Sequence, residues 1–343
     1  FFKTLFNSFS NRDTITFFEE LGLSLEVLAG GRVFPTSKNA IEVVDALARE
    51  MKRAKVVQHY NCPVEDLILE EGRVKGVATT KGVFECGAVI VATGGLSYPL
   101  TGSNGDGYRF ATKAGHTIIK TFPSLTALKP SFFNNSFVGI ILKNLSLQLF
   151  IDKDSIVKLD GDIEFTQNGM EGSLANSISR RVVKAKSNGS RCFLEIDLKP
   201  GLHFEQLQSR VERELKDFKG YSMHNFLKGY LPLKFIAPFV EALKLPHTIK
   251  GVENSGEIIT AALKQWRFEL LSYNGYQRAI VTAGGVSTGE LEPKTMRSMV
   301  CNNLFFAGEV VDLDGDTGGY NLQIAFSSGF VAGRGAAYLI SKL

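Results

Sequence analysis

Three short apolar runs in this chain end in glycine: Ala88–Ala92 before Thr93-Gly94-Gly95, Ala279–Thr282 before Ala283-Gly284-Gly285, and Leu304–Ala307 before Gly308-Glu309. An apolar run without polar alternation suits a strand buried on both faces, the condition of a parallel sheet covered by helices. Sheets of that kind bind ligands at the carboxyl ends of their strands, where glycine permits positive φ and lets a ligand approach the backbone. The runs fall toward both ends of a 343-residue chain, so the sheet draws on two separated segments. The pattern predicts one α/β domain interrupted by an insertion.

The texture between the runs supports this division. Helices are predicted over 12–22, with Asp13 as N-cap, and over 39–53. Short strands follow at 56–58, 64–69, 74–79 and 83–86, with turns at Glu71-Gly72 and Lys81-Gly82. From about 122 the chain alternates, as in Leu145-Ser146-Leu147-Gln148-Leu149-Phe150, with turns at Asp160-Gly161 and Asn188-Gly189. From 204 it turns helical: Leu207, Val211 and Leu215 form one stripe, and Pro232, Pro238 and Pro246 break the stretch into short helices. The expected layout is an α/β domain over 1–121 and 271–343, holding a β-rich domain at 122–200 and a helical subdomain at 201–270.

Composition removes several classes of function. With 44% hydrophobic and 22% charged residues the chain is too apolar for disorder. Its net charge of +4 is spread along the chain and forms no Lys/Arg block, so nucleic acid is not expected as a partner. The longest apolar runs are too short for a bilayer, and no membrane partner is expected. Cys62, Cys86, Cys192 and Cys301 form no CxxC pair, which argues against a local zinc site or redox dithiol and suits a reducing cytoplasm. His59, His116, His203, His224 and His247 are isolated from one another, and neither GxSxG nor HExxH occurs. No metal site and no catalytic acid or base is assigned.

The most specific motif is the segment 304–329. A buried strand delivers Glu309 to its end, an acidic loop passes through Asp312, Asp314 and Asp316, and Gly318-Gly319 open a helix beginning Tyr320-Asn321-Leu322-Gln323. A carboxylate there suits a ribose or ribitol hydroxyl, while the helix start offers free N–H groups and positive potential. The alternating aspartates lack the glycine and glutamate of a calcium loop. A second glycine-rich stretch, Thr101–Gly107, precedes a helix that Asp106 is placed to cap. A GxGxxG fingerprint is absent from the chain.

The strings at 31–37 (GRVFPTS), 89–116 (VIVATGGLSYPLTGSNGDGYRFATKAGH), 163–172 (IEFTQNGMEG), 280–287 (IVTAGGVS) and 304–333 together resemble the BaiN/YhiN-like, or aminoacetone-oxidase-like, NAD(P)/FAD-dependent oxidoreductases. The likeness runs through nearly the whole chain with the motifs in order. It implies a glutathione-reductase-type, Rossmann-like FAD domain with an inserted β-rich domain and a small helical one. It places Ala92, Thr93, Gly94 and Gly95 by the nucleotide portion of FAD, and Gly308, Glu309 and Asp312 by the ribitol and pyrophosphate. Gly319, Tyr320, Asn321, Leu322 and Gln323 would border the isoalloxazine, with Gly318 a further cofactor-binding candidate beside them. Members of the family open with a βαβ unit bearing GxGxxG, so the FAD domain is expected to be incomplete here, lacking that N-terminal segment. The activity implied is hydride transfer to or from a small molecule, with NAD(P)H as a transient donor. The alternative is a flavin- or nucleotide-binding protein without turnover. An RNA-modifying flavoprotein is disfavoured for want of a basic stripe.

Overall fold

The computed structural model describes residues 1–218, 220–249 and 254–342. Its chain forms two compact units, 1–122 with 281–343, and 123–280. The first unit opens with α1 (Phe2–Ser8) and α2 (Asn11–Glu20). Ser10 caps α2 and Asp13 closes a reciprocal capping box with it, so Asp13 serves three residues inside the helix and not as the N-cap expected from sequence. The strands β1 (Leu25–Val27) and β2 (Val33–Pro35) form a hairpin, followed by α3 (Ile41–Arg53). The strand expected at 56–58 does not form; β3 (Val64–Glu70), β4 (Arg73–Thr79) and β5 (Gly82–Glu85) make an antiparallel sheet without it. Next come β6 (Val89–Val91), α4 (Asp106–Lys113) and β7 (Ile118–Ser124).

The second unit is built from β8 (Leu128–Pro130), β9 (Ile141–Ile151), β10 (Asp154–Thr166), β11 (Gly169–Glu171), α5 (Ser173–Ser187), β12 (Cys192–Asp197), α6 (Phe204–Asp217), α7 (Met223–Leu227), α8 (Leu233–Ala242), α9 (Ser255–Lys264) and β13 (Trp266–Tyr273). Its six strands close a barrel in the order β10-β11-β8-β13-β12-β9. Leu145, Leu147 and Leu149 of β9 and Cys192, Leu194 and Ile196 of β12 alternate into the core, as a period of two requires. Trp266, Phe137, Phe165, Phe235 and Phe239 are fully buried in the same cluster. Because β13 follows the helices yet pairs with β12 and β8, the regions expected as two bodies, 122–200 and 201–270, form one. The helix α5 is a further departure within the β-rich segment.

The chain returns to the first unit through β14 (Val281–Val286), β15 (Leu291–Glu292), β16 (Arg297–Ser298), β17 (Leu304–Phe306) and α10 (Tyr320–Ile340). Here β17 lies parallel to β6, with Phe305 opposite Ile90, and β14 pairs with β7. All of β14 and β17 is buried, which explains their unbroken apolar sequence. Asn303 locks the start of β17: it accepts the Val74 N–H at 3.0 Å and donates to the carbonyls of Val74 at 2.7 Å and Gly87 at 2.8 Å. No described helix is long and apolar enough to cross a membrane.

Candidate functional site

The ends of β6 and β17 meet the start of β14, where Thr282 stands; Gly284 and Gly285, expected as a turn after a strand, lie inside β14 instead. After β6 the chain passes through exposed Ala92 and Thr93, turns at Gly94 with φ +72°, and buries Gly95. A Cβ at Gly95 would stand 2.5 Å from Thr282 Oγ1 and 2.7 Å from Glu309 Oε1, so only glycine fits where β6, β14 and the turn after β17 meet. Thr282 Oγ1 accepts the N–H groups of Leu96 at 2.8 Å and Ser97 at 3.0 Å, and lies 3.0 Å from the buried Ser97 hydroxyl. The Thr282 N–H in turn donates to Glu309 Oε1 at 3.1 Å. One threonine therefore fixes both the turn after β6 and the carboxylate after β17. Burial pushes the Glu309 carboxyl above its ordinary range, with the Thr282 hydrogen bonds opposing and Asp314 adding to the rise.

The glycine-rich stretch 101–107 folds against the same turn. A Cβ at Gly94 would meet Ser103 Oγ at 2.8 Å, and one at Gly107 would meet Thr93 Oγ1 at 2.2 Å and Val310 Cγ2 at 2.7 Å. Gly105, in the left-handed region, occupies the cap position of α4, and Asp106 is the first residue inside the helix where the sequence suggested a cap.

At the far end of β17, the Gly308 N–H donates to Ser328 Oγ at 2.9 Å, tying the strand end to α10. The Asp312 N–H donates to the Val286 carbonyl at 2.9 Å, extending β14 by a parallel bridge to Val311. Gly318 and Gly319, with φ of +124° and +96°, lead into α10, whose first turn has no side-chain cap. Because the first intrahelical bond there is Gln323 N–H to Gly319 carbonyl, the N–H groups of Tyr320, Asn321 and Leu322 precede the helical ladder. The side chains of Tyr320 and Leu322 are exposed. Those of Asn321 and Gln323 serve the fold: the Asn321 amide exchanges two 2.9 Å bonds with the Gly315 backbone, and Gln323 Nε2 donates to Thr14 Oγ1 at 2.9 Å and Ser327 Oγ at 3.0 Å. What the opening of α10 presents is backbone.

This donor and acceptor set suits a dinucleotide. Glycine backbone can be approached closely, a carboxylate such as Glu309 can accept from hydroxyls, and the free N–H groups of a helix start such as that of α10 can donate to carbonyl or phosphate oxygen. Thr282, the last residue of the second apolar run, carried no sign in the sequence of the role it has here. His116 is a satisfied structural histidine, buried between Glu290 Oε2, 3.0 Å from Nδ1, and Ser298 Oγ, 2.7 Å from Nε2.

The family described as HI0933-like protein Rossmann domain matches residues 1–335. The chain belongs to the HI0933-like Rossmann-domain family. This is the flavoprotein oxidoreductase family that the motifs resemble, so the chain is an FAD-dependent oxidoreductase. Among similar proteins, the 3-dehydro-bile acid delta(4,6)-reductase of Clostridium scindens is 30% identical over 342 residues, covering 98% of this chain and 83% of that protein. The ribosomal RNA dihydrouridine synthase of Haemophilus influenzae is 28% identical, covering 96% of this chain and 80% of that protein. Among solved structures, E. coli quinol fumarate reductase FrdA aligns at 16% identity with a TM-score of 0.47, over 98% of this chain and 57% of that one.

Proposed function

We propose that this chain transfers a hydride between FAD and a carbon–carbon double bond conjugated to a carbonyl, with Gly94, Gly95, Glu309 and the first turn of α10 holding the cofactor. The observation that carries the reading is the meeting of Gly95, Thr282 and Glu309, where the turn after β6, the start of β14 and a half-buried carboxylate after β17 converge. Glu309 would accept a hydroxyl of the ribitol or ribose, its orientation set by the Thr282 N–H. Ala92, Thr93 and Gly94 would pass along the nucleotide portion, with Gly308 and Asp312 beside the pyrophosphate and ribitol. The N–H groups after Gly318 and Gly319, at Tyr320, Asn321 and Leu322, would face the pyrimidine-side carbonyl of the flavin and favour negative charge there. The exposed side chains of Tyr320 and Leu322 would then flank the substrate. Bound FAD supplies the hydride chemistry, and the protein supplies position and electrostatics.

The substrate class follows from the relatives' names, one a delta(4,6)-reductase of a 3-dehydro compound and the other a synthase of dihydrouridine. Both describe hydrogen gained at a conjugated double bond. A small enone is the first reading; the second name supports a uracil base in RNA as the alternative, against the charge pattern of the sequence. NAD(P)H is the proposed donor.

The visible spectrum of the purified protein, followed by titration with FAD, tests the cofactor: flavin bands that shift on binding are expected, and a colourless protein that takes up no added FAD overturns the proposal. Anaerobic mixing of the loaded protein with NADH or NADPH is expected to bleach the flavin, and a flavin left oxidised by both excludes them as donors. Reoxidation by an enone but not by a uridine-containing RNA selects the first substrate reading; the reverse selects the second.

A further inference from the structure

The outer face of the barrel carries a cavity of about 310 Å³ that no part of the flavin site uses. Ser146, Gln148 and Phe150 of β9 line it, alternating with the core leucines 145, 147 and 149 and therefore standing on the opposite face. Lys158 of β10 and Glu195 of β12 both pair with Gln148, one from each side. Lys158 and Glu195 thus flank a single central residue, about 10 Å apart at Cα from two strand spacings. Phe204, at the start of α6, adds a second apolar wall.

Two observations mark the cavity as a site. Ser146 is only 3% exposed although it points away from the barrel core, and its hydroxyl has no hydrogen-bond partner. A buried hydroxyl left unpaired is an unfavourable arrangement that a ligand corrects. Second, the charges of the cavity divide into a used pair and an unused one. Lys264 Nζ spends its protons on Asp197 Oδ2 at 2.5 Å and on the carbonyls of Leu202 at 2.5 Å and Lys199 at 3.1 Å, and the Lys199 N–H takes the other Asp197 oxygen at 2.8 Å. The side chains of Lys158 and Glu195 make no hydrogen bond or ion pair among the described residues. Gln148 donates to Ser155 Oγ at 2.8 Å and to the Val157 carbonyl at 2.9 Å, which leaves its own side-chain oxygen as an acceptor.

We propose that this cavity binds a small zwitterion of the amino-acid class, with its carboxylate on Lys158, its ammonium on Glu195 and Gln148 Oε1, and a hydrogen bond from Ser146. An anion alone leaves Glu195 unpaired, and a cation alone leaves Lys158 unpaired; a zwitterion answers both. The volume lies at the lower limit of ligand pockets, about 300 Å³, which restricts the occupant to a small molecule. Phe150 and Phe204 favour an apolar side chain on it.

Calorimetric titration of the full chain with leucine, phenylalanine, butyrate and butylamine tests the assignment independently of any flavin. An apolar amino acid is expected to bind, with butyrate and butylamine each weaker by roughly tenfold or more, the size of a lost charge-assisted hydrogen bond. Lys158→Gln and Glu195→Gln, both at positions outside the core, should each weaken leucine or phenylalanine by a similar factor. Ser146→Ala should weaken binding several-fold while raising the thermal midpoint of the unliganded protein. Absence of heat with both amino acids up to their solubility limit overturns the proposal. So does butyrate binding as tightly as leucine, or amino-acid binding that survives both charge substitutions unchanged.

Discussion

Asn303 makes three buried hydrogen bonds from one side chain, to a strand on one side and the approach to β6 on the other, while its own backbone sits at φ +55°. Asparagine tolerates that conformation better than most residues, so its place here has a backbone reason and a side-chain reason. Asn303→Ala removes all three bonds and leaves the Val74 N–H only its long 3.4 Å bond to the Asn302 carbonyl, which should destabilise the protein by about 3 kcal/mol, read by denaturant unfolding. A change within the scatter of surface substitutions would show that the local backbone carries the strand without it. His116 offers a pH test. Burial lowers its pKa from the ordinary 6.5, against an upward pull from Glu290. The unfolded chain therefore takes a proton that the folded chain resists, and stability falls as pH drops from 6.5 toward the depressed value. Glu290 is itself held below its ordinary 4.5: burial pushes it up, but the hydrogen bonds from Thr117 and His116 outweigh that. Its contribution is present above pH 4.5 and is lost as pH falls through the lower folded value. His116→Gln, which puts a carboxamide that cannot charge in place of the imidazole, should flatten the decline of the thermal midpoint just below pH 6.5; equal slopes in the two proteins would refute this.

At the scale of elements, what the sequence reveals depends on whether the signal is local. The strands β6 and β17 are each an apolar run with a glycine beyond it, whereas β14 carries Gly284 and Gly285 inside the strand; burial of all of β14 and β17 leaves an unbroken mark, but β6 has the same mark with Ile90 exposed. Gly95, Thr282 and Glu309 meet across separations of 187 and 27 residues, and nothing local encodes that meeting. The helix α5 was obscured by flanking turn signals, although Leu174, Ile178 and Val182 are spaced four apart and buried on its inner side. The strand β13 was hidden because the helices before it run almost to Trp266. Glycines of α10 show how position decides the effect of one residue type. A Cβ at Gly329 meets open space, whereas one at Gly335 would stand 2.7 Å from the Thr295 carbonyl. Gly329→Ala should therefore stabilise by about 0.5–1 kcal/mol through helix propensity, and Gly335→Ala should destabilise. Thermal melts of the two variants moving in the same direction would contradict the packing assigned to this helix. The same steric logic predicts that Gly95→Val abolishes FAD uptake while the far-ultraviolet circular dichroism stays native; retained flavin in that variant would remove Gly95 from the site.

The whole molecule is two units of which only one is continuous in sequence. Residues 123–280 contain a closed barrel, whose strands leave no open sheet edge, and a core that includes the chain's one tryptophan at 1% exposure. The ends of this segment are held together within the unit itself: the Ile280 N–H donates to the Leu125 carbonyl at 3.2 Å, and the Asn274 N–H donates to the Ala127 carbonyl at 3.0 Å. A continuous segment with its own core, closed strands and adjoining ends has the features of a domain that folds alone. Expressed by itself, 123–280 should be soluble and unfold in one cooperative transition, with Trp266 emission blue-shifted to the value seen in the intact chain. Trp266→Ala in the same segment should cost about 3–5 kcal/mol, the range for removing a buried aromatic, measured by circular dichroism because the fluorescent reporter is gone. A red-shifted emission with a gradual unfolding curve would mean that the barrel needs the first unit to fold. It would then be an integral part of the FAD domain, and the inserted segment could no longer be treated as a separate body on which a second ligand site evolved.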